Sequence, residues 1–347
     1  MIKFLVYVAI ILTVVAIAYL ARVFELASKL KGTKPHEVSD KDNKFMSKVI
    51  LTWLILFFAF VIWNLKKFVP LMLPEAASEH GVEMDWLYNF NWIIIFFVFT
   101  ITQALLFFFA YKYYGRKGNT ATYFPHNNKL EMVWTVIPAI VLSVIIILGL
   151  KQWNKITAPA SDDAIVIQLY AKQFDWTARY AGKDNQLGES NYRLITDINA
   201  LGLDSTDKKG YDDIIVKNEI HIPLNKDISF KLNSRDVIHS AYFPHFRSQM
   251  NCVPGMTTVI HFKPIITTAQ MREKAEVKEQ MAGINAKRAE RGDKPVEFDY
   301  ILLCNKICGN SHYNMQMTVV VDTEEDYKKW LHSKKPFFNK AIEVASK

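Results

Sequence analysis

The sequence predicts a membrane α+β chain: four transmembrane helices followed by an antiparallel β-sandwich or small barrel. Three observations predict it. The chain has 347 residues and is 50% hydrophobic, and its apolar residues crowd into the part before Leu150. After Ala160, short β-branched and aromatic runs alternate with turn residues. Two of the three cysteines sit in a soft-ligand run, Cys304-Asn-Lys-Ile-Cys308-Gly-Asn-Ser-His312-Tyr-Asn-Met315.

The four helices are predicted from four uncharged stretches, Phe4–Ala21, Val49–Leu65, Phe90–Tyr111 and Met132–Leu150. Each approaches the roughly 20 apolar residues that span a bilayer. The second is the shortest, and Lys66 and Lys67 at its end can snorkel to the interface. A Lys/Arg excess in short loops marks the cytoplasmic side. Arg22, Lys29, Lys31, Lys34, Lys41, Lys44 and Lys48 follow the first span, and Lys112, Arg116, Lys117 and Lys129 follow the third. These loops are therefore expected inside. The loop with Glu75, Glu79, Glu83 and Asp85 faces out, together with the amino terminus and everything after Leu150. Lys3 before an apolar run also resembles a targeting segment. Retention is expected, because its removal would leave three spans and conflict with the charge-derived orientation. The net charge of +8 largely reflects this inside-loop bias and gives no nucleic-acid signature.

In the outer part, Ala164–Tyr170, Glu219–Pro223, Asp227–Leu232, Thr257–Phe262 and Met317–Val321 read as strands. Gly182–Lys217 is polar and rich in Asp, and reads as a long loop with a short helix. Thr267–Glu297 interrupts the strand pattern with opposite charges at i,i+4 spacing, which predicts a solvated helix, either a plain surface excursion or a docking element. After Asp322-Thr323, acidic residues precede cations in Glu324-Glu-Asp-Tyr-Lys-Lys-Trp-Leu, the charge order of a short terminal helix.

Two thiols, an imidazole and a thioether within one short loop favour copper. The paired cysteines suggest two ions, with His239 upstream in Asp236-Val-Ile-His239-Ser240 as a second imidazole. His239 and His312 would then cap one ion each, Met315 would add a weak contact, and the carbonyl of Lys306 another. The alternatives account for less. A disulfide suits an oxidising face but leaves His312 and Met315 without a role. Zinc does not need Met315. A blue-copper site leaves one cysteine over. There is no Cys-x-x-Cys-His for covalent haem.

With Gln173-Phe-Asp-Trp176, the Val253-Pro254-Gly255 turn and Leu130-Glu131-Met-Val-Trp134-Thr135-Val-Ile-Pro138, these motifs occur in one order. In that order the chain resembles subunit II of the haem–copper cytochrome c oxidases, bacterial in type, over roughly residues 90–330. The resemblance implies a cupredoxin-like Greek-key β-barrel bearing a dinuclear copper centre, CuA, with ligands Cys304, Cys308, His239, His312, Met315 and the Lys306 carbonyl. It implies that electrons enter from a c-type cytochrome and pass to haem in subunit I. There oxygen is reduced and protons are moved, and the complex can join a respiratory supercomplex. The implied location is the bacterial cytoplasmic membrane, with the copper domain outside. The expected division is an extra hairpin at 1–81, the family hairpin at 82–155, the copper domain at 156–323 with its insertion at 267–297, and a helix and tail at 324–347.

The chain departs from the family in three places. Lys306 stands where a glutamate commonly binds magnesium at the subunit interface; a cation is a poor magnesium ligand, which puts that ion in doubt. Phe174 stands where the family has its electron-entry tryptophan, and Trp176 matches a later aromatic; both are candidates for an entry surface, Phe174 also for plain core packing. The amino-terminal hairpin is additional. Glu131 matches a carboxylate near the mouth of a proton pathway, and equally suits a helix amino terminus. Cys252, Met250, Met256 and Met317 are expected to pack rather than ligate, and His245 to be a loop residue whose place near His239 allows a contact with a partner. Within the family's reach, a copper-free quinol-oxidase subunit is disfavoured by the complete ligand set. A nitrous oxide reductase domain is disfavoured by the spans, and a copper-delivery protein by the closed ligand shell.

Overall fold

The computed structural model describes residues 2–30, 32 and 39–338, with side chains from Tyr7 onward. Lys31 and Lys34 of the first inner loop, and the tail 339–347, lie outside the described residues. Among the described residues, four helices are long and apolar enough to cross a membrane: α1 (Ile2–Leu30), α2 (Asp40–Phe68), α3 (Glu79–Lys112) and α4 (Asn128–Ile156). Each extends past its uncharged stretch, because polar end residues continue the backbone ladder into the interfacial zone. The Ser39 side chain accepts from the Asp42 amide to start α2, and Lys66 and Lys67 close it.

Two compact units are present. The first takes residues up to Met72 together with Ile93–Glu131. Within it, Asn43 donates to the Gly115 carbonyl (3.1 Å), the Lys117 amide donates to Asp40 (3.0 Å), and Phe57 meets Phe99 at 5.9 Å between ring centres. At the start of α4, Glu131 accepts from the Asn127 amide at 3.4 Å while Asn127 accepts from the Leu130 amide. That is a helix-start role for Glu131.

The second unit, Leu73–Trp92 and Met132 onward, holds the β-domain. One sheet runs β3-β2-β1-β5-β8, built from β1 (Ile165–Lys172), β2 (Asp175–Tyr180), β3 (Ile214–Lys217), β5 (Ile228–Ser234) and β8 (Thr258–Phe262). The other runs β4-β10-β9-β6-β7, built from β4 (Glu219–Pro223), β6 (His239–Phe243), β7 (Ser248–Cys252), β9 (Tyr300–Cys304) and β10 (Gln316–Asp322). Their inner faces share one core: Ile167, Leu169 and Phe230 from the first sheet meet Ile220, Leu302, Val319 and Val321 from the second. The expectation of a wholly antiparallel domain is corrected. β1 pairs with β5, and β4 with β10, in parallel. This mixed, two-sheet Greek-key arrangement is cupredoxin-like.

Residues 182–217 are a loop for most of their length, with 3-10 turns at Tyr192–Leu194 and Lys208–Asp212, but they end in strand β3 rather than loop. The loop is pinned by the fully buried pair Arg179 and Asp213, with Arg179 also bonded to Gln168 and the Gly188 carbonyl. The charged insertion is two helices, α5 (Thr268–Arg272) and α6 (Ala275–Glu290); Thr267 and Gln270 form a capping box for the first. The last helix is α7 (Glu324–Ser333). The stretch before α3 and the first turns of α3 are stitched to the β-domain: the Ala77 amide donates to the His245 carbonyl (2.7 Å), the Glu79 amide to the Lys263 carbonyl (3.0 Å), and Arg247 pairs with Asp85.

Candidate metal centre

Strands β6 and β9 pair antiparallel with Ala241 opposite Cys304, which places His239 and Cys304 at the same end of one sheet. The connection from β9 to β10 then carries the remaining donors. It closes on itself where the Cys304 amide donates to the Met315 carbonyl (3.0 Å), and it is tied to β6 by Asn305 donating to Ser240 (3.0 Å).

The donors converge. Cys304 Sγ lies 3.9 Å from Cys308 Sγ, 3.8 Å from His239 Nδ1 and 3.2 Å from the Lys306 carbonyl oxygen. Cys308 Sγ lies 3.6 Å from His312 Nδ1 and 3.8 Å from Met315 Sδ. Each imidazole thus sits beside a different sulfur. His239, Cys304, Cys308 and Met315 are buried. The sulfur separation, against about 2.0 Å in a disulfide, removes the disulfide reading; all three cysteines are free. Among the described residues, His239, Cys304 and Cys308 are the group whose donor atoms cluster for a metal. Two thiolate donors, two imidazoles and a thioether are a donor set that copper prefers. Burial, with the neighbouring Cys304 sulfur, pushes the Cys308 thiol up to about 11.

Two residues not assigned in the sequence brace the donors. Asp236 Oδ1 lies 2.8 Å from His239 Nε2, the ring nitrogen opposite the one nearest Cys304, and Asp236 Oδ2 accepts from the Gln173 amide (2.7 Å). Burial raises the Asp236 carboxyl, but the Gln173 amide, His239 and the Val237 amide outweigh it and leave it lowered. Gln173 also donates its side-chain amide to the Cys308 carbonyl. The Asp three residues before the histidine was the available signal; nothing local to Gln173 pointed to the cysteine loop.

Of the two candidate entry aromatics, Trp176 is corrected as a surface residue. It is buried at 1% exposure and reaches the loop only through its indole N–H, 3.5 Å from the Met315 carbonyl. The alternation of β2 turns it into the core. Phe174 is half-buried and packs against Gly309 of the cysteine loop. Lys306 is exposed, and only its carbonyl approaches the donors. Its ammonium gives magnesium no ligand. Cys252 is fully buried in β7, its thiol pushed up to about 12 by burial, consistent with packing. His245 lies between the rings of Phe298 and Tyr300, and burial, then Arg247, lower it to about 4.

A family model for the transmembrane domain of cytochrome C oxidase subunit II matches residues 67–151, and one for its periplasmic domain matches residues 165–273. The second match ends before the cysteine loop. The alternative cytochrome c oxidase subunit 2 of Bradyrhizobium diazoefficiens is 31% identical over 291 residues, covering 83% of this chain and 92% of that protein. The cytochrome c oxidase subunit 2 of Thermostichus vulcanus is 28% identical over 288 residues, covering 75% of this chain and 77% of that protein. Among solved structures, the periplasmic domain of subunit II of cytochrome oxidase of Bradyrhizobium japonicum is 21% identical; it covers 50% of this chain and 94% of that chain, with a TM-score of 0.30.

Proposed function

For a chain that belongs to the cytochrome c oxidase subunit II family, we propose the role of electron-entry subunit, built on a dinuclear copper site in the β9–β10 connection. It is a component of a haem–copper oxidase and a multi-pass membrane protein with a periplasmic domain. The membrane in question is the bacterial cytoplasmic membrane. The observation that carries the reading is the convergence of Cys304, Cys308, His239, His312, Met315 and the Lys306 carbonyl at 3.2 to 3.9 Å.

When bound, a copper pair supplies a one-electron carrier. The chain's own residues make the site suited to it. Cys304 and Cys308 offer sulfurs that two ions can share, and the two imidazoles approach from opposite cysteines. Burial excludes water from the sulfurs, and the bonds from Asp236 and Gln173 hold the donors in place, which keeps geometric change between oxidation states small. Held by these residues, such a pair would carry electrons from a c-type cytochrome toward haem in subunit I.

Phe174, against Gly309, is the aromatic placed to contribute to an entry route, with Trp176 beneath it as a core support. Glu131 accepts from the Asn127 amide at the start of α4, a place that suits both a helix start and a carboxylate near a proton-pathway mouth. Magnesium is not part of the reading, because the residue at the family's position is Lys306. Mixing the copper-loaded oxidase complex with a reduced c-type cytochrome tests the role. Loss of the cytochrome's reduced absorption, with bleaching of the copper bands before haem reduction, supports it. Haem reduction without prior copper bleaching overturns it.

A further inference from the structure

Within the second unit, a cleft of about 340 Å3 lies between the first turn of α3, the end of α4 and the connection after it, the turn before β5, and the end of β8. None of its residues takes part in the metal centre. Lys155, Lys226 and Lys263 line it together with Glu79, Asp163 and Asp227. The signs balance, so the cleft favours neither a simple anion nor a simple cation. The pairs Lys226–Asp163 (3.2 Å), Lys263–Glu79 (3.3 Å) and Lys155 with Glu83 (2.6 Å) and Glu79 (3.7 Å) are solvent-exposed on both sides and can rearrange around a ligand at little cost.

His261 adds an independent demand. Its Nδ1 lies 3.1 Å from Asp227 Oδ1, and Asp227 is itself held by the Ser161 amide at 3.0 Å. A carboxylate accepts, so Nδ1 carries the proton, and in the neutral ring Nε2 is then the acceptor. That Nε2 is buried with no hydrogen-bond partner. A buried acceptor of this kind calls for a donor.

The cleft also sits at a definite depth. Lys155 lies five residues beyond Leu150, the end of the uncharged stretch, or ~8 Å at the helical rise. That is the outer edge of the headgroup zone, which adds roughly 5 to 7 Å on each side of the hydrocarbon core and which a lysine side chain can reach. Trp153 and Trp86, at 63% and 58% exposure, stand near it as interfacial aromatics do.

We propose that this cleft binds the headgroup of a phospholipid bearing a primary ammonium. The ammonium donates to His261 Nε2 and Asp163, and the phosphodiester lies against Lys226 and Lys155. A quaternary ammonium has no N–H for His261. A lipid without an ammonium brings no N–H donor to His261 and no cation to Asp163.

The test uses the intact oxidase complex, stripped of lipid in detergent. It is titrated with short-chain phosphatidylethanolamine, phosphatidylcholine or phosphatidylglycerol, or with soluble phosphoethanolamine, while deuterium uptake of residues 157–163 and 225–228 is followed. Phosphatidylethanolamine should protect these segments at concentrations roughly tenfold or more below the other lipids, the effect of one charge-assisted contact. His261→Phe and Asp163→Asn should each abolish that preference; Asp163 is exposed, so its substitution keeps the test sound if the buried change disturbs folding. Equal protection by phosphatidylcholine or phosphatidylglycerol, no protection at all, equal potency of soluble phosphoethanolamine, or a preference that survives Asp163→Asn would overturn the proposal.

Discussion

Asp236 Oδ1 and His239 Nε2 are 2.8 Å apart, so the carboxylate grips the ring nitrogen opposite the one that lies 3.8 Å from Cys304 Sγ. A carboxylate in that position fixes the tautomer and the ring plane of a metal-binding histidine and raises its basicity. Asp236→Asn keeps the size and loses the charge. Copper affinity is expected to fall by ~10 to 100-fold, measured by competition with a chelator. Unchanged affinity would show that the contact does not serve the site.

Gly309 is the one glycine of the cysteine loop, with φ of +139°. A Cβ there would lie 2.8 Å from Phe174 Cζ and 2.9 Å from Gln173 Nε2. Gly309→Ala therefore combines backbone strain with a clash against the strap that holds Cys308. A loss of about 1 to 3 kcal/mol is expected, together with reduced copper retention. Thermal melting and metal analysis check both, and a wild-type melting temperature would contradict the close packing.

His245 gives a pH dependence with a defined sign. Burial, then Arg247, lower it from its ordinary value of about 6.5 to about 4, and its Nδ1 has no partner. Between those values the unfolded chain binds the proton and the folded chain does not, so stability rises with pH from about 4 to 6.5. The contribution is lost as pH falls and amounts to no more than about 3 kcal/mol. His245→Phe should flatten that part of the stability profile in denaturant titrations at pH 7 and pH 5. An equal slope in the variant would assign the dependence to other groups.

The buried pair Arg179–Asp213 anchors the 182–217 loop. Burial raises the Asp213 carboxyl despite Arg179, so the pair is under a desolvation cost and depends on both partners. Asp213→Ala leaves a buried guanidinium without its anion and is expected to destabilise by roughly 3 to 5 kcal/mol. Limited proteolysis of the loop should accelerate in parallel. Intact loop protection would contradict the anchoring role.

The membrane helices were legible in the sequence because four successive uncharged runs of bilayer length are too apolar to be covered by a domain of this size. The donor set was legible because soft ligands crowd one loop. The β-domain was read less fully. β2, β3, β6, β7 and β9 were not assigned as strands: all five are short, β3 ends a polar loop, and the others lie in or beside motif residues that draw the eye to chemistry. The parallel pairs of β1 with β5 and β4 with β10 join segments far apart in sequence, which periodicity cannot reveal. Trp176 shows the same limit at one residue: its motif suggested a surface, and the strand's alternation placed it in the core. Gln173 reaches Cys308 across 135 positions of sequence, and no local pattern encodes that bond.

The central claim is that Cys304 and Cys308 hold two copper ions between them. The most direct measurement is copper quantitation on the purified oxidase complex, with electron paramagnetic resonance of the chain in wild-type and Cys308→Ser forms, after haem copper is accounted for. The account predicts two coppers in this chain, one unpaired electron coupled to both nuclei, and loss of that coupling in Cys308→Ser. A single copper, a spectrum from one nucleus, or a wild-type spectrum in the variant would contradict it.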